Sequence, residues 1–472
     1  MKTISCIIPA YNEAAHIATV LETVISLIGS TLTEVIVIDD CSTDDTKKIV
    51  EKFPMVRLLS HQINLGKSRA VADGIDSAVG NYILLLDADL AGLTTEAVLA
   101  LIAPVQDGVA DFTISYRKNA WPLYGIHDID YLSGERVIER KLLLDEIEGM
   151  RVLPSYGLEV FMNRIIIKHR LRVAVVPWIH VENTFQTDRV GLIDGILSSL
   201  RVWMHVFETV PPWELYQQNW KLSKQIVPHQ KITFSIPAYN EEKGIVECLE
   251  SIVKETAKSP VPVEIIVVNN ASTDRTKELA LTVPGVRVVD EMRKGIVWAR
   301  QAGFQASTGE LIANIDADNR LTSNWLATVL KEFKDQRVVA VSGPLYYYDL
   351  PWYQRFFTTI FYVGGIVADF FNGLFGKRSM LQGGNYVVRR DALVAMGGYD
   401  TSIVFHGEDT DIGRRAAQIG KIRWTFKLPI NSSGRRLARE GLIKTGWGYA
   451  INFFSVTYRG KPRTEAYEDI RL

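Results

Sequence analysis

The chain has 472 residues, of which 47% are hydrophobic and 23% charged, and this composition excludes an intrinsically disordered protein. With 53 basic and 54 acidic side chains the formal net charge is −1, which excludes the basic surface that nucleic-acid binding needs. The three cysteines, Cys6, Cys41 and Cys248, are too few and scattered for a disulfide framework or a zinc site, so we expect a cytoplasmic protein.

Continuous apolar strands alternate with helical patterns in both halves of the chain. Strands are predicted at 5–8, 35–38, 82–86, 233–236, 265–268 and 311–315, and helices of the first half at 14–28, 43–53 and 68–79. Strands that are apolar throughout are buried on both faces, so we predict an α/β fold with a mostly parallel sheet in each half. Ligands of such sheets bind at the carboxyl ends of the strands.

Three motifs occur twice in the same order, each at the carboxyl end of a predicted strand. IPAYNE at 8–13 returns at 236–241, STDDTK at 42–47 returns as STDRTK at 272–277, and DAD at 87–89 returns at 316–318. One nearly constant offset predicts a duplicated domain. We place the two domains at 1–210 and 232–472, joined by a proline-containing linker at 211–231 with one short helix.

The DAD triplets have the pattern of a metal site. Residues two apart in extended backbone point to the same side, so both carboxylates of a triplet can hold one divalent ion. Mg²⁺ takes one or two carboxylates together with substrate phosphates. The predicted ligands for Mg²⁺ or Mn²⁺ are Asp87, Asp89, Asp316 and Asp318. A helix N-cap is the alternative for a single aspartate, but it does not explain the repetition.

Asp40 follows the second predicted strand, where a carboxylate can accept a hydrogen bond from a nucleobase N–H. The second half has Asn270 there, which offers an amide oxygen without charge. Ser42 and Thr43 either contact the ligand or cap the next helix.

In combination, these motifs resemble the nucleotide-sugar-binding part of GT-A glycosyltransferases of family 2, over about the first 90 residues of each half. The resemblance implies two tandem Rossmann-like domains that bind a nucleotide-diphospho-sugar. It also implies that the nucleotide pockets are lined by Pro9, Tyr11, Glu13 and Asp40, and by Pro237, Tyr239, Glu241 and Asn270.

The second half also contains GGYD at 397–400 and HGEDTD at 406–411, which resemble the acidic signature of this family. The resemblance implies that Asp409 is the base, with Glu408 as the alternative. A sugar hydroxyl is a poor nucleophile until a carboxylate removes its proton, so the chemistry agrees. A solvated acidic run that caps a helix at 411–419 is the other interpretation.

Further candidates of the second half suit a substrate with a diphosphate. Arg435 and Arg436 can bind phosphate through their planar guanidinium groups, unless they belong to a basic surface helix. Gly384 allows close approach of an acceptor, and Arg300 is assigned to the same substrate site. A QxxRW pattern is missing, which argues against a processive polysaccharide synthase.

In the first half, NLGKSRA at 64–70 resembles the polyprenyl-phosphate mannosyl- and glucosyltransferases. This resemblance implies an anionic phosphate acceptor that needs no base, and phosphate contacts from Lys67, Arg117 and Arg136. Glu159 and the run 187–189 are secondary candidates for this pocket. Ala91 stands where that subfamily often has a metal-binding glutamine, so metal is expected less firmly here.

Twelve of the 46 aromatic residues fall within 345–376, flanked by basic residues. This pattern predicts peripheral contact with the inner face of a membrane, or alternatively a core helix pair. The apolar run 356–368 is too short to span a bilayer. A similar amphipathic helix is predicted at 190–210.

The sequence as a whole predicts an inverting hexosyltransferase that uses a nucleotide-diphospho-sugar, a divalent metal and a lipid-phosphate or glycan acceptor. One alternative is a bifunctional, non-processive glycan polymerase, which needs a base in both halves. The other is one active domain beside a degenerate sugar-nucleotide-binding scaffold domain. A nucleotidyltransferase would need a glycine- and lysine-rich loop, and residues 1–20 contain no glycine.

Overall fold

A computed structural model describes residues 2–117, 129–154, 157–178, 180–183, 204, 207, 209–403 and 406–463. The chain divides into two compact units, Met1–His229 and Gln230–Leu472, which we call the first and second domain.

The first domain is built on a seven-stranded sheet with helices on both faces. The strands of this domain are β1 (Ile4–Ala10), β2 (Glu34–Asp39), β3 (Val56–Ser60), β4 (Tyr82–Leu85), β5 (Leu90–Ala91), β6 (Phe112–Arg117), β7 (Arg136–Glu139), β8 (Val173–Trp178) and β9 (Glu182–Asn183). Strands β5 and β9 pair with each other outside the large sheet. Its helices are α1 (Ile17–Ile25), α2 (Thr46–Val50), α3 (Lys67–Ser77), α4 (Thr95–Gln106), α5 (Arg140–Leu144), α6 (Ile147–Arg151), α7 (Leu158–Lys168) and α8 (Pro212–Gln225). The sheet order is β3-β2-β1-β4-β7-β6-β8, and β7 is antiparallel to both of its neighbours.

The second domain repeats this plan. Its strands are β10 (Ile232–Ala238), β11 (Val263–Asn269), β12 (Val286–Asp290), β13 (Leu311–Ile315), β14 (Arg320–Leu321), β15 (Val338–Ser342), β16 (Leu345–Tyr347), β17 (Asn385–Arg389), β18 (Lys421–Trp424) and β19 (Ile430–Ser432). Its helices are α9 (Ile245–Thr256), α10 (Thr276–Leu281), α11 (Ile296–Ala306), α12 (Trp325–Glu332), α13 (Trp352–Leu374), α14 (Arg390–Ala395), α15 (Glu408–Ile419), α16 (Arg435–Glu440) and α17 (Leu442–Arg459). The order β12-β11-β10-β13-β17-β15-β18 matches that of the first domain, and β17 is again antiparallel to its neighbours.

Alternation along the central strands explains the layered architecture. Successive side chains of a strand point to opposite faces, and Cys6 and Ile8 of β1 pack into one cluster while Ile7 packs into another. Both clusters are buried, because helices cover both faces. The mostly parallel α/β sheets predicted for the two halves are therefore confirmed.

The segment predicted as a linker, 211–231, contains a 14-residue helix, α8, that lies in the first domain. Leu215 and Leu222 of α8 are buried in the core, and Glu214 forms an ion pair with Arg164 of α7.

The aromatic segment of the second domain contains one long, mostly exposed helix, which contradicts the core helix pair and leaves contact with a membrane as a prediction. Helix α13 has 23 residues and a mean hydropathy of 1.3, so by length and composition it could cross a membrane. The helix extends beyond both ends of the apolar run 356–368, through Arg355 and Asp369. Only 11% of its apolar window is buried, so α13 is not a core helix. The helix predicted at 190–210 lies almost entirely outside the described residues.

Candidate functional site

In each domain the repeated motifs bind one another at the carboxyl ends of the first two strands. The backbone N–H of Asn12 donates to Ser42 Oγ (3.0 Å), and Asn12 Oδ1 accepts from the Thr43 N–H (2.8 Å). Asn240, Ser272 and Thr273 repeat these bonds. Ser42 therefore connects the two loops instead of capping α2. The asparagines have positive φ, 57° and 51°, a conformation that asparagine tolerates better than most residues.

Asp40 and Asn270 are buried anchors of the loop that leads into the next helix. The two carboxylate oxygens of Asp40 accept from the backbone N–H groups of Leu65 (2.9 Å) and Gly66 (2.7 Å). Asn270 Oδ1 likewise accepts from the Gly295 N–H (2.8 Å). These contacts give both residues a structural role, and their contact with a nucleobase stays a prediction.

The second domain gathers most of its predicted site residues around one cavity of about 530 Å³. Its charged wall is formed by Glu241, Arg300, Asp316, Asp318, Glu408, Asp409, Arg435 and Arg436, and Pro237 lies beside them. Its apolar wall comes mainly from α13 and α17, through Phe361, Gly364, Gly365, Ala368, Tyr449, Ala450, Phe453 and Phe454. Gly384 is not in the lining but supports it, because a Cβ at this position would lie 2.3 Å from Asp316 Oδ2.

Two arginines connect the acidic groups of this cavity. The fully buried Arg300 places Nη2 at 3.2 Å from Asp316 Oδ1 and 3.5 Å from Glu408 Oε1. Arg435 places Nη2 at 3.0 Å from Glu241 Oε2 and 2.9 Å from Asp318 Oδ2. Arg435 thus joins a predicted nucleotide-binding residue to a predicted metal ligand. Arg436 is paired with Glu440 (3.5 Å) and also faces the cavity.

The adjacent carboxylates at the start of α15 have different surroundings. Burial, and then the negative charge of Asp409, raise the pKa of Glu408 well above its usual value, although Arg300 opposes this. Asp409 Oδ2 accepts from the Gly383 N–H (2.8 Å), and Oδ1 accepts from the Thr410 N–H (2.7 Å). These bonds fix the Asp409 carboxylate against the cavity.

The first domain brings Lys67, Asp87 and Glu159 together. Lys67 Nζ lies 2.8 Å from Asp87 Oδ1 and 3.1 Å from Glu159 Oε1. Burial opposes the lysine charge, but the two carboxylates outweigh it and raise the pKa of Lys67. A Cβ on Gly134 would lie 2.8 Å from the Asp87 carboxylate, as with Gly384 in the second domain.

The two predicted phosphate-binding arginines of the first domain lie in internal networks. Arg117 pairs with Asp130 (3.3 Å) and Glu135 (3.4 Å), both buried. Arg136 is fully buried and its guanidinium donates to the carbonyls of Tyr131, Ser133 and Glu159 and to Asn163 Oδ1. The structure thus gives Arg136 a scaffold role, because its guanidinium is engaged by its own domain. Residues 187–189 lie outside the described residues.

Tyr11 and Tyr239 occupy equivalent positions at the ends of β1 and β10. Tyr11 is 47% exposed, and Lys294 Nζ lies 5.1 Å from the ring centroid of Tyr239. An exposed aromatic ring at a strand end is available for stacking on a planar ligand. Pro9 and Glu13 flank Tyr11 in the first domain, as Pro237 and Glu241 flank Tyr239 in the second.

The chemistry of the DAD pairs fits a hard divalent cation. Gly384 leaves no side chain over the Asp316 carboxylate, and Asp318 is only 25% exposed. Within the described ranges, no three His, Cys, Asp or Glu side chains converge on one point. A metal ion at this site would therefore share its coordination with phosphate oxygens and water, as Mg²⁺ does.

Glu159, a secondary candidate in the sequence, lies in the cluster with Lys67 and Asp87. No GED motif surrounds it, and its signal is only an acidic residue in the first turn of a helix. Its contact with Lys67 joins residues 92 positions apart, which sequence patterns do not reveal.

Comparison with known proteins identifies the family. Residues 5–154 and 233–397, more than half of the chain, match glycosyl transferase family 2. Glycosyltransferase GlyG of Streptococcus pneumoniae is 32% identical over 123 residues, which cover 25% of this chain and 40% of that protein. Glycosyltransferase AglE of Haloferax volcanii is 25% identical over 203 residues, which cover 40% of this chain and 62% of that protein.

A crystal structure of glucosyl-3-phosphoglycerate synthase from Mycobacterium tuberculosis, in complex with Mn²⁺, UDP and glucosyl-3-phosphoglycerate, is 25% identical. The alignment covers 42% of this chain and 79% of that one, with a TM-score of 0.34. This chain covers less than two thirds of the length of both curated relatives. The family match falls on both copies of the duplicated domain, so the chain belongs to glycosyl transferase family 2, with two tandem GT-A domains.

Proposed function

We propose that the second domain transfers a hexose from a nucleotide-diphospho-sugar to a hydroxyl group of a lipid-linked acceptor, with inversion at the anomeric carbon. The observation that carries this proposal is the composition of one cavity. Its charged wall contains the DAD carboxylates, Asp409 and three arginines, and its apolar wall is formed mainly by α13 and α17. Such a cavity suits a charged donor and an acceptor with a hydrophobic tail.

The charged wall supplies what a nucleotide diphosphate needs. Arg435 and Arg436 present guanidinium groups, which are always charged and match phosphate oxygens. Asp316 and Asp318 would hold Mg²⁺ or Mn²⁺ bound to the diphosphate. When bound, the cation neutralises charge that develops on the leaving diphosphate.

Asp409 is the base in this proposal. Its carboxylate is held by the N–H groups of Gly383 and Thr410 at the edge of the cavity. The acceptor hydroxyl gives its proton to Asp409, its oxygen bonds to the anomeric carbon, and the bond from that carbon to the diphosphate breaks. A single displacement of this kind inverts the configuration. Glu408 is paired with Arg300 and serves to position the site.

The apolar wall supports a lipid-linked acceptor and contact with a membrane. Asp369 and Asn372 of α13 are buried, while Trp352, Phe356 and Leu374 are exposed by 77%, 59% and 66%. Helix α17 has the same inverted character: Thr445, Asn452 and Thr457 are buried, whereas Ile443, Trp447 and Phe454 are exposed. Helices whose polar residues are buried and whose aromatic residues are exposed are suited to an apolar environment such as a bilayer. We therefore place the protein peripherally on the cytoplasmic face of a membrane.

The first domain is proposed to bind a nucleotide-diphospho-sugar in the same way. Three observations support this: Asp87 and Asp89 follow β4, Lys67 Nζ lies 2.8 Å from Asp87 Oδ1, and Arg117 interacts electrostatically with Asp87. Its acceptor is either a polyprenyl phosphate, as the motif resemblance implies, or a glycan hydroxyl. A degenerate first domain that only binds sugar nucleotide is the alternative.

Transfer assays with UDP- and GDP-sugars and lipid-linked acceptors test the proposal. Removal of a general base costs about 10²- to 10⁴-fold in rate, so Asp409→Asn should lower kcat in this range with little change in donor KM. Glu408→Gln should cost about tenfold or less. The exposed Glu278→Gln, on α10, should match wild type. Full transfer by Asp409→Asn would show that the base is another group.

A further inference from the structure

Helix α8 of the first domain has an aromatic face that the proposed function does not use. Trp213, Tyr216 and Trp220 are exposed by 68%, 64% and 49%. Their spacing of three and four residues places them on one side of the helix. The opposite side is buried and includes Leu215 and Leu222. A row of large aromatic side chains in contact with solvent marks an interaction surface.

The aromatic residues of this face are all amphipathic. The indole N–H of tryptophan and the hydroxyl group of tyrosine form hydrogen bonds, while the rings themselves are apolar. Such side chains are enriched at the level of the lipid head groups of a membrane, where both properties are satisfied. Helix α8 has 14 residues, so its length is about 21 Å, which is too short to span a bilayer. An orientation in the plane of the membrane surface fits this length.

The charges of α8 favour an anionic surface. Its two lysines, Lys221 and Lys224, are exposed, and Lys224 Nζ lies 5.5 Å from the ring centroid of Trp220. Its one acidic residue, Glu214, forms an ion pair with Arg164 of α7 at 2.6 Å. The exposed residues of α8 therefore carry a net positive charge. Lysines beside a membrane are attracted to anionic head groups, and their long side chains let the ammonium groups stay at that level.

We propose that α8 is an interfacial helix through which the first domain binds anionic phospholipids. Its aromatic rings lie among the head groups, and its two lysines contact lipid phosphates. A protein partner fits this face less well, because Lys224 follows Trp220 by one helical turn in the same row and the centres of protein interfaces are depleted in lysine. The inference goes beyond the proposed function, in which membrane contact comes from α13 and α17 of the second domain.

A fluorescent probe on α8 tests this surface separately from α13 and α17. Gln217 is exposed on the same side of the helix, and Gln217→Cys can be labelled in a full-length Cys41→Ser chain, since the other two cysteines are buried. The fluorophore NBD at this position should gain at least twofold in intensity and shift to shorter wavelength when phosphatidylglycerol vesicles are added. Phosphatidylcholine vesicles should have a smaller effect. The same label on Glu51→Cys, at an exposed position directly after α2, is the matched control and should not respond.

Substitutions then identify the side chains that bind the vesicles. A full-length chain with Trp213, Tyr216 and Trp220 all changed to serine should bind phosphatidylglycerol vesicles at least tenfold more weakly in a flotation assay. The control combines Met55→Ser and Val152→Ser, which change apolar residues of the first domain that are exposed by 59% and 82%. This control should float as wild type does. The inference is wrong if the aromatic variant also floats as wild type does.

The lysines give a test that leaves the aromatic rings in place. Lys221→Gln combined with Lys224→Gln should weaken binding to phosphatidylglycerol vesicles and reduce the dependence of binding on salt, because the attraction is electrostatic. Binding to phosphatidylcholine vesicles should stay the same. If circular dichroism shows that the aromatic variant is unfolded, the lysine variant and the Gln217→Cys label decide between the outcomes.

Three other results would overturn the inference. If the chain floats but the label on Gln217→Cys does not respond, the second domain alone contacts the vesicles. If the wild-type chain binds no vesicles, the membrane contact of the proposed function fails as well, whereas sugar transfer to octyl glycosides would show that the transfer reaction stands. If light scattering shows a dimer that the aromatic variant dissociates, α8 binds a second copy of the chain instead of lipid.

Discussion

Gly384 shows how one backbone position shapes the metal-binding part of the second site. Its φ is +75°, and a Cβ would lie 2.3 Å from Asp316 Oδ2 and 3.0 Å from Asn319 Nδ2. Any side chain here would displace the carboxylate as well as strain the backbone. The sequence analysis linked this glycine to the acceptor, whereas the structure relates it directly to a predicted metal ligand.

We expect Gly384→Ala to lower transfer at the second site by at least tenfold. The positive φ costs about 1 kcal/mol of folding free energy with alanine, and the shift of Asp316 weakens binding of the metal and donor. Gly285→Ala is the matched control, because Gly285 has a φ of +80° and nothing within 4 Å of its Cβ. Transfer kinetics measure the effect on Asp316, and thermal unfolding measures the cost of the positive φ. Equal behaviour of the two variants would show that Gly384 matters for backbone conformation only.

Other individual residues show where sequence reasoning reaches its limit. The DAD pairs could be predicted as candidates because each follows a strand within a repeated motif, and Asp409 because it begins a helix within a motif that resembles the acidic signature of the family. Arg136 was assigned to phosphate from its motif neighbours, but burial decides its role, and burial depends on α7, which follows it in the chain. The contact of Glu159 with Lys67 could not be predicted for a similar reason, since the two residues are 92 positions apart.

At the scale of secondary structure elements, contact with a membrane can be tested on α13 and α17, the two helices whose aromatic residues are exposed and whose polar residues are buried. Phe356, Phe357, Phe370 and Phe371 are each exposed by 55% or more. Replacing all four with serine removes apolar surface without opening a core. We expect binding to vesicles of phosphatidylglycerol and phosphatidylethanolamine to fall at least tenfold in a flotation assay, since burial of each side chain contributes about 1.5–3 kcal/mol.

The control for this prediction changes exposed apolar residues elsewhere in the second domain. Leu281 and Met292 are exposed by 56% and 76% and lie outside both helices. Leu281→Ser and Met292→Ser should leave vesicle binding unchanged. Membrane contact through α13 would be refuted if the wild-type chain did not float with vesicles, or if the fourfold variant floated equally well.

Glu264, near the start of β11, is expected to make the stability of the second domain depend on pH. Burial alone would raise the pKa of Glu264, but hydrogen bonds from Thr233, Thr308 and Arg287 outweigh it and lower the pKa to about 2. A carboxylate with a lowered pKa stabilises the fold at neutral pH, and this contribution is lost as the pH falls from about 4.5 through about 2.

We expect Glu264→Gln to destabilise the second domain by roughly 1–2 kcal/mol at pH 7, once screening by solvent is allowed for. The difference from wild type should shrink steadily below pH 4.5, which urea unfolding at several pH values can measure. Glu250→Gln, on the exposed side of α9, should show no such dependence. A constant difference at all pH values would mean that Glu264 does not titrate in this way.

For the whole molecule, the duplication was the most predictable feature. Three motifs at a nearly constant offset were enough to anticipate two sheets with the same strand order. The acceptor sides were less predictable, because they differ between the copies and depend on contacts between distant segments. The cavity under α13 and α17 combines residues from 237 to 454, and no local pattern specifies which helix faces it.

Duplication of the donor site also predicts a binding stoichiometry. Both domains keep the hydrogen bonds between the repeated motifs and a DAD pair, so calorimetry with Mn²⁺ and UDP, or GDP, should give two nucleotides per chain. Asp89→Ala and Asp318→Ala should each leave one, because each removes a carboxylate from one site. Asp45→Ala, at an exposed position of the first domain, should still bind two. One nucleotide per wild-type chain, lost on Asp318→Ala, would instead mean that the first domain does not bind a donor.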